Sequence, residues 1–246
     1  MFLISGRPTV TAMLKSDTPD GLIAEINEIK KIGADTFGFQ IDYLKPEYRN
    51  KDFYKRLFSE MGAPCYVTNY RHGSKGASDE KLAEGLLEAG ACGGSLLDIP
   101  GGMFDVESGE FSENPDAVKK QKELIGKAHS LGCGALMSSH IFDKFVPENE
   151  IVKIAKCHEE RGADIAKIVA RADSEDELDR CLALTLRLKK EIGIPFLFLI
   201  NGNACRIHRL VNPLLGSCMY LAQLKKTAEN QPLLTEVNSI MNMCHC

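Results

Sequence analysis

Two hydrophobic rhythms alternate along the chain. Helix-like segments occupy 19–32, 79–89, 115–131, 148–161 and 174–191, and short, nearly continuous apolar runs stand between them. Six times a charged helical end gives way to a glycine and then to such a run: KIGADTFGFQI, EMGAPCYVTN, EAGACGGSLLDI, SLGCGALMSS, ERGADIAKIVA and EIGIPFLFLI. Gly33, Gly62, Gly90, Gly132, Gly162 and Gly193 suit the left-handed position that ends a helix before the chain turns into a strand. An opening strand at 9–14 and a last one near 217–221 bring the count to eight. The glycines recur mostly about every thirty residues, the length of a βα unit.

Eight such units in 246 residues predict an α/β fold, a (β/α)8 TIM barrel, forming a single domain over 1–246. Several strands are apolar without strict alternation, as expected where helices cover the outside and side chains fill the inside. No Pro/Ser-rich linker or low-complexity run divides the chain. A doubly wound open sheet is the competing fold. Against it, no G-x-G-x-x-G follows the first strand, and GRPTV precedes that strand rather than opening a helix.

One position breaks the apolar rhythm. In GADIAKIVAR, Lys167 stands in a β-branched run of strand length. Burial inside a barrel lowers an amine's pKa toward neutrality. A neutral amine attacks a ketone or aldehyde and forms an imine, whose protonated form draws electrons from an adjacent C–H bond. The alternative is a lysine whose stem lines the barrel while its amine reaches water or a carboxylate.

Composition narrows the partners. With 44% hydrophobic residues, 26% charged residues and a net charge of -4, the chain reads as a soluble globular protein with no general attraction to nucleic acid or anionic membrane. MFLISGRPTV lacks the basic start and sustained apolar core of a secretory signal. The longest apolar stretch, 192–200, is interrupted by Gly193 and Pro195 and is too short to span a bilayer. A cytoplasmic location is expected. Nine scattered cysteines, an odd number, read as reduced thiols rather than a disulfide framework. The terminal Met243-Cys244-His245-Cys246 holds soft ligands but has no second cluster at zinc-finger spacing, so a loose tail is expected there and no metal or cofactor.

In a TIM barrel, chemistry gathers at the C-terminal ends of strands. Unusual polar residues there are Gln40 and Asp42 after strand two, then Asn69, Tyr70 and Arg71 after strand three. Ser138, Ser139 and His140 close strand five, Lys167 lies in strand six, and Asn201 and Arg206 follow strand seven. His140 neighbours Lys167 if sequential strands pair, and an imidazole there can take a proton from carbon and return one to a leaving hydroxyl. Its bland reading is a loop histidine. Arg206 stands where barrels commonly hold an anion, and its guanidinium can clasp a carboxylate. Arg209, three residues on along a helix and on a similar face, competes for that role.

Together these residues resemble the type I 3-dehydroquinate dehydratases, the Schiff-base enzymes of the shikimate pathway in aromatic amino acid biosynthesis. SSHIFDKFVP is similar to that family's Ser-x-His-Asp-Phe segment, and GADIAKI to its Ala-Asp-Ile-Pro-Lys-Ile strand. GNACRIHRLVNPLLGSCMYLA resembles its Gly-x-x-x-Arg segment followed by a Gly-Ser strand. The resemblance implies Lys167 as the imine-forming residue, His140 as the general acid/base and Arg206 as the holder of the substrate carboxylate. Arg71 fits a further substrate-binding arginine. A lid at about 223–232 is implied, with Thr227 and Gln231 matching the hydroxyl and amide of the family's Ser-Ala-Pro-Gly-Gln. A homodimer and a small carboxylated substrate are also implied.

The first half departs from the pattern. Where the family's second strand reads Glu-x-Arg-x-Asp, this chain has Gly38, Gln40 and Asp42, which leaves Gln40 to meet substrate hydroxyls. The glutamate that orients the histidine is replaced by Lys75. The expected activity is therefore a lyase that eliminates water from 3-dehydroquinate or a relative with different hydroxyl decoration. A Schiff-base aldolase and a non-catalytic binder of a carboxylated metabolite are the alternatives.

Overall fold

The computed structural model describes residues 2–74 and 76–244. Eight strands, β1 (Thr9–Met13), β2 (Thr36–Gln40), β3 (Cys65–Thr68), β4 (Leu96–Pro100), β5 (Gly134–His140), β6 (Ile165–Arg171), β7 (Phe196–Asn201) and β8 (Met219–Gln223), lie side by side in the order β7-β6-β5-β4-β3-β2-β1-β8. All the ladders are parallel. The two ends meet where the Cys218 N–H donates to the Phe196 carbonyl at 2.7 Å. Close by, the Phe198 N–H donates to Ser217 Oγ at 3.2 Å. Ser217 and Cys218 make this seam, and β8 begins at Met219 rather than near Ser217.

Around the sheet run α1 (Pro19–Ile32), α2 (Lys51–Met61), α3 (Asp79–Ala91), α4 (Pro115–Ser130), α5 (Glu148–Glu160), α6 (Glu175–Glu191), α7 (Cys205–Leu215) and α8 (Leu234–Cys244). Their starts are written locally. Thr18 caps α1 ahead of Pro19, and Ser174 with Glu177 forms a reciprocal capping box on α6. At the helix ends Gly33, Gly62, Gly132 and Gly162 take the expected positive φ, whereas Gly90 and Gly193 do not. Gly90 lies inside α3, where a side chain would press on Cys133 Sγ at 3.0 Å, and Gly93 makes the turn instead with φ 123°.

Strand alternation sorts the core into layers. In β6 the outward Ala166, Ile168 and Ala170 pack beneath the helices, while Ile165 and Val169 enter the barrel. Tyr66, Leu96, Leu136, Leu197 and Leu221 join them there. Each such side chain contributes about 1.5–3 kcal/mol by leaving water. Lys167 shares the inward face of β6, between Ile165 and Val169. Among the described residues no helix is long and apolar enough to cross a membrane. The expected loose tail is corrected in part, since α8 continues through Met243 and an exposed Cys244; His245 and Cys246 lie outside the described residues.

Candidate active site

Lys167 is 4% exposed, and its amine is surrounded by oxygen. Nζ lies 2.8 Å from Tyr70 Oη, 2.9 Å from Tyr66 Oη and 3.1 Å from Asp98 Oδ2. Asp98, buried in β4, also accepts from Tyr70 at 2.5 Å, from Ser138 Oγ at 2.5 Å and from Tyr66. Burial pushes the Lys167 pKa below the ordinary lysine range, opposed by the Asp98 carboxylate and aided by the Arg209 charge. Burial would push Asp98 up, yet Lys167, His140 and the hydroxyls hold it below the usual carboxylate range. A buried ion pair is sustained only when its remaining polar groups are satisfied, and here three hydroxyls satisfy the carboxylate.

His140 ends β5, the strand hydrogen-bonded to β6. Its Nδ1 lies 3.3 Å from Glu110 Oε2, which also accepts the His140 backbone N–H at 3.2 Å. Burial and the nearby Lys167 charge lower the imidazole pKa, while Glu110 and Asp98 pull it upward. The imidazole is therefore mainly neutral at pH 7; assigning the proton to Nδ1, toward Glu110, leaves Nε2 as a base. The sequence expectation that no carboxylate orients this histidine is corrected, because Glu110, from the β4–α4 connection, stands against it. Lys75 itself lies outside the described residues.

A cavity of about 360 Å³ opens above these groups, walled by Tyr70, Arg71, Glu110, His140, Phe142 and Gln40 among others. The Tyr70 ring meets His140 edge-on at 5.1 Å, and Phe142 flanks the imidazole at 5.6 Å. A larger concavity of about 970 Å³ lies at the opposite, N-terminal end of the barrel and includes Phe2, Gly132 and Pro195, away from Lys167. Among the described residues no cluster of His, Cys, Asp or Glu is arranged to hold a metal ion.

The expected binding residues divide. Arg71 lines the cavity but is locked by two bonds to Asp79, at 2.7 and 2.5 Å, and one to the Gly102 carbonyl at 2.7 Å. The hydrogen bonds that Arg71 donates to Asp79 raise its pKa. Arg206, whose side chain is 44% exposed, pairs with Glu236 on α8, so the structure does not bring it to Lys167. Arg209 is the buried arginine of α7, 6% exposed, donating to the Ile200 carbonyl at 2.9 Å and to Asn201 Oδ1 at 2.8 Å. Among the described residues no carboxylate pairs with it, and burial pushes its pKa down to about 10.

Gln40 accepts from Lys15 Nζ at 2.9 Å, so a cation just past β1 stands beside β2, where the family's pattern has an arginine. The space beside Gly38 is filled, since a side chain there would press on the Met13 sulfur. Asp42 is buried nearby with neither oxygen hydrogen-bonded among the described residues; His72 Nε2 comes to 3.8 Å. Burial raises its pKa, and the Tyr70 and Asp42 backbone N–H groups offset that only in part.

Residues 224–233 cross from β8 to α8 and fold onto Gln223. That side chain accepts from the Thr227 hydroxyl at 2.9 Å and donates to the Ala228 and Gln231 carbonyls at 2.7 and 2.6 Å. Asn230 donates to Asn201 Oδ1 at 2.8 Å, the atom that also holds Arg209. Gln231 Oε1 is buried without a hydrogen-bond partner among the described residues.

A parallel barrel carrying a buried amine, a neutral imidazole on the adjoining strand and an uncompensated buried arginine has the equipment of a lyase that works through an imine. The model of the family described as type I 3-dehydroquinase matches residues 10–246, and the chain belongs to that family of carbon–oxygen lyases. A 3-dehydroquinate dehydratase of Lactiplantibacillus plantarum is 27% identical over 222 residues, spanning 89% of this chain and 84% of that one. The corresponding enzyme of Neisseria meningitidis is 28% identical over 225 residues, spanning 87% and 82%. Among solved structures, a type I 3-dehydroquinate dehydratase from Clostridium difficile, carrying covalently modified comenic acid, superposes with a TM-score of 0.84. It is 21% identical, over 99% of this chain and 94% of that chain.

Proposed function

We propose that the protein dehydrates 3-dehydroquinate through an imine on Lys167. The amine condenses with the ring ketone, and His140 Nε2 removes a proton from the adjacent carbon. The hydroxyl β to the imine then leaves as water, protonated by the same imidazole, and hydrolysis frees the lysine. Glu110 holds the ring and keeps its second nitrogen protonated. The observation that carries this reading is the Lys167 amine, shielded from water beside a neutral histidine in a chain of this family.

Arg209, rather than Arg206, is the anchor for the substrate carboxylate. Its charge lacks a carboxylate partner among the described residues and acts on Lys167, whereas Arg206 is already engaged by Glu236. Arg71 and Gln40 line the path of the ring hydroxyls, and Lys15 supplies a cation beside strand two. Residues 223–232 form the lid, with the Thr227 hydroxyl bonded to Gln223, Gln231 carrying a buried Oε1 that has no hydrogen-bond partner among the described residues, and Asn230 tying it to Asn201. The same reading has the protein in the cytoplasm as a homodimer, in keeping with the family resemblance and with the free thiols of Cys65, Cys133 and Cys181.

The test is intact mass after incubation with 3-dehydroquinate and borohydride, followed by peptide mapping. An adduct on Lys167, reduced in mass by one water relative to intact substrate and absent in Lys167→Ala, is expected. No adduct at a concentration that saturates a known dehydratase would refute the reading, and a binding protein without turnover predicts that result.

A further inference from the structure

Of the three oxygens on the Lys167 amine, only that of Tyr70 belongs to a side chain that also walls the cavity. Tyr66 is fully buried behind the amine, and Asp98 lies within β4. A ketone reaching Nζ from the cavity arrives beside the Tyr70 hydroxyl, which stands 2.8 Å from Nζ and 2.5 Å from Asp98 Oδ2. No hydrogen bond joins His140 to the amine; the ring nitrogen nearest a partner is turned to Glu110. Lysine, phenol and carboxylate thus form one chain of donors and acceptors, separate from the imidazole.

We propose that Tyr70 is a third catalytic residue, the acid/base of imine formation, which leaves His140 to the C–H and C–O bonds of the substrate. The inference rests on the imine reading above. The Lys167 ammonium first passes a proton through the Tyr70 hydroxyl to Asp98, which becomes a neutral acid. The freed nitrogen pair forms the N–C bond as the carbonyl π pair takes the phenolic proton, and Tyr70 recovers a proton from nitrogen. The C–O bond then breaks with a proton from Tyr70, the departing group being water, while nitrogen's pair forms C=N. Asp98 reprotonates the phenolate. The balance is one ammonium and one ketone giving one protonated imine and one water, with Asp98 ionised and Tyr70 neutral as at the start.

Burial raises the Tyr70 pKa well above that of free tyrosine, helped by the adjacent Asp98 charge. The group therefore relays protons as a neutral hydroxyl and does not persist as a phenolate.

The experiment compares wild type, Tyr70→Phe and Tyr66→Phe by borohydride quenching at successive times after mixing with 3-dehydroquinate. Tyr70→Phe is expected to slow adduct formation about 100-fold, with Tyr66→Phe slowing it by less than about tenfold. A second readout separates chemistry from packing. Substrate deuterated at the abstracted position should show a primary isotope effect with wild type that collapses toward unity in Tyr70→Phe, because imine formation has become limiting. Adduct formation at the wild-type rate with an unchanged isotope effect would overturn the inference while leaving the imine reading intact. No adduct on wild type would overturn both. Should Tyr70→Phe fail to fold, 3-fluorotyrosine at position 70 keeps the shape with a more acidic hydroxyl. Its adduct-formation profile should then move to lower pH, and an unmoved profile would overturn the inference.

Discussion

Two buried carboxylates in one barrel meet opposite fates. Asp98 takes bonds from Lys167, Tyr66, Tyr70 and Ser138 and stays ionised, while Asp42, a few residues past β2, has no hydrogen-bond partner among the described residues and is driven toward its neutral form. Depth is common to both; what differs is the supply of donors. Strands β3 to β6 complete their polar cluster within the protein, whereas the strand-two side leaves a buried carboxylate compensated only in part.

The sharpest way to break this contrast is to remove the cation from the completed cluster. Lys167→Met should abolish activity and lower stability to urea by about 3–5 kcal/mol, because Asp98 is left buried and unpaired. Adding Asp98→Asn to that variant should restore much of the stability and none of the activity. If Lys167→Met unfolds at the wild-type urea midpoint, the pair is not what keeps Asp98 ionised.

At the rim, Glu110→Gln should lower kcat by about tenfold, short of the roughly 10²–10⁴-fold expected for losing a general base outright. Glu110 raises the His140 pKa, so its loss should move the acid limb of the kcat/KM profile to lower pH. A limb that stays in place would assign that ionisation to another group.

The same distinction between paired and unpaired charge occurs within α7. Arg209→Lys should raise KM for 3-dehydroquinate about tenfold, since an ammonium cannot reproduce a two-bond clasp. Arg206→Ala, which breaks an exposed pair with Glu236, should change KM by less than about threefold, in line with the small energies of surface ion pairs. Reversal of these two effects would return the carboxylate to Arg206.

The smallest expected effect lies at Asp42. Its folded pKa is raised, so the folded state holds a proton that the unfolded chain releases, and stability falls as pH climbs from the unfolded carboxylate range of about 4 through the folded value. Asp42→Asn removes that loss, and the variant should gain on wild type between about pH 4 and neutrality. Asp98 runs the other way, adding stability above the unfolded range that disappears as pH drops through its depressed value. Parallel pH dependence in wild type and Asp42→Asn would show that Asp42 ionises as easily folded as unfolded.

Much of this was legible in the chain. Helix ends such as the Pro19–Ile32 segment and the Ser174 cap are written by local chemistry, and glycines mark most junctions, so the eightfold repeat and the barrel follow. Lys167 announced itself as a charge inside an apolar strand. Asp98, in SLLDIP, is the same anomaly two strands away, and that rule applied again would have found it. Tyr70 was visible as a polar strand-end residue, but its contact with Lys167 depends on how the strands converge. Glu110 gave no signal, because it comes from an irregular connection with no periodicity to fix its direction. Arg206 and Arg209 were separable only by the register of α7, whose inward stripe of Cys205, His208, Arg209 and Asn212 is too polar to be read as a buried face.

The Met13 sulfur against Gly38 bears on what strand two can hold. A lone Gly38→Glu change, which would restore the family's strand-two acid, meets a buried methionine already seated there. The clash falls on Sδ and Cε, the far end of a flexible side chain, so room for the new carboxylate comes from a turn of the Met13 thioether rather than from a second substitution. The barrel filling is soft at this point, and how large a side chain strand two accepts at position 38 depends on how far one thioether can swing aside.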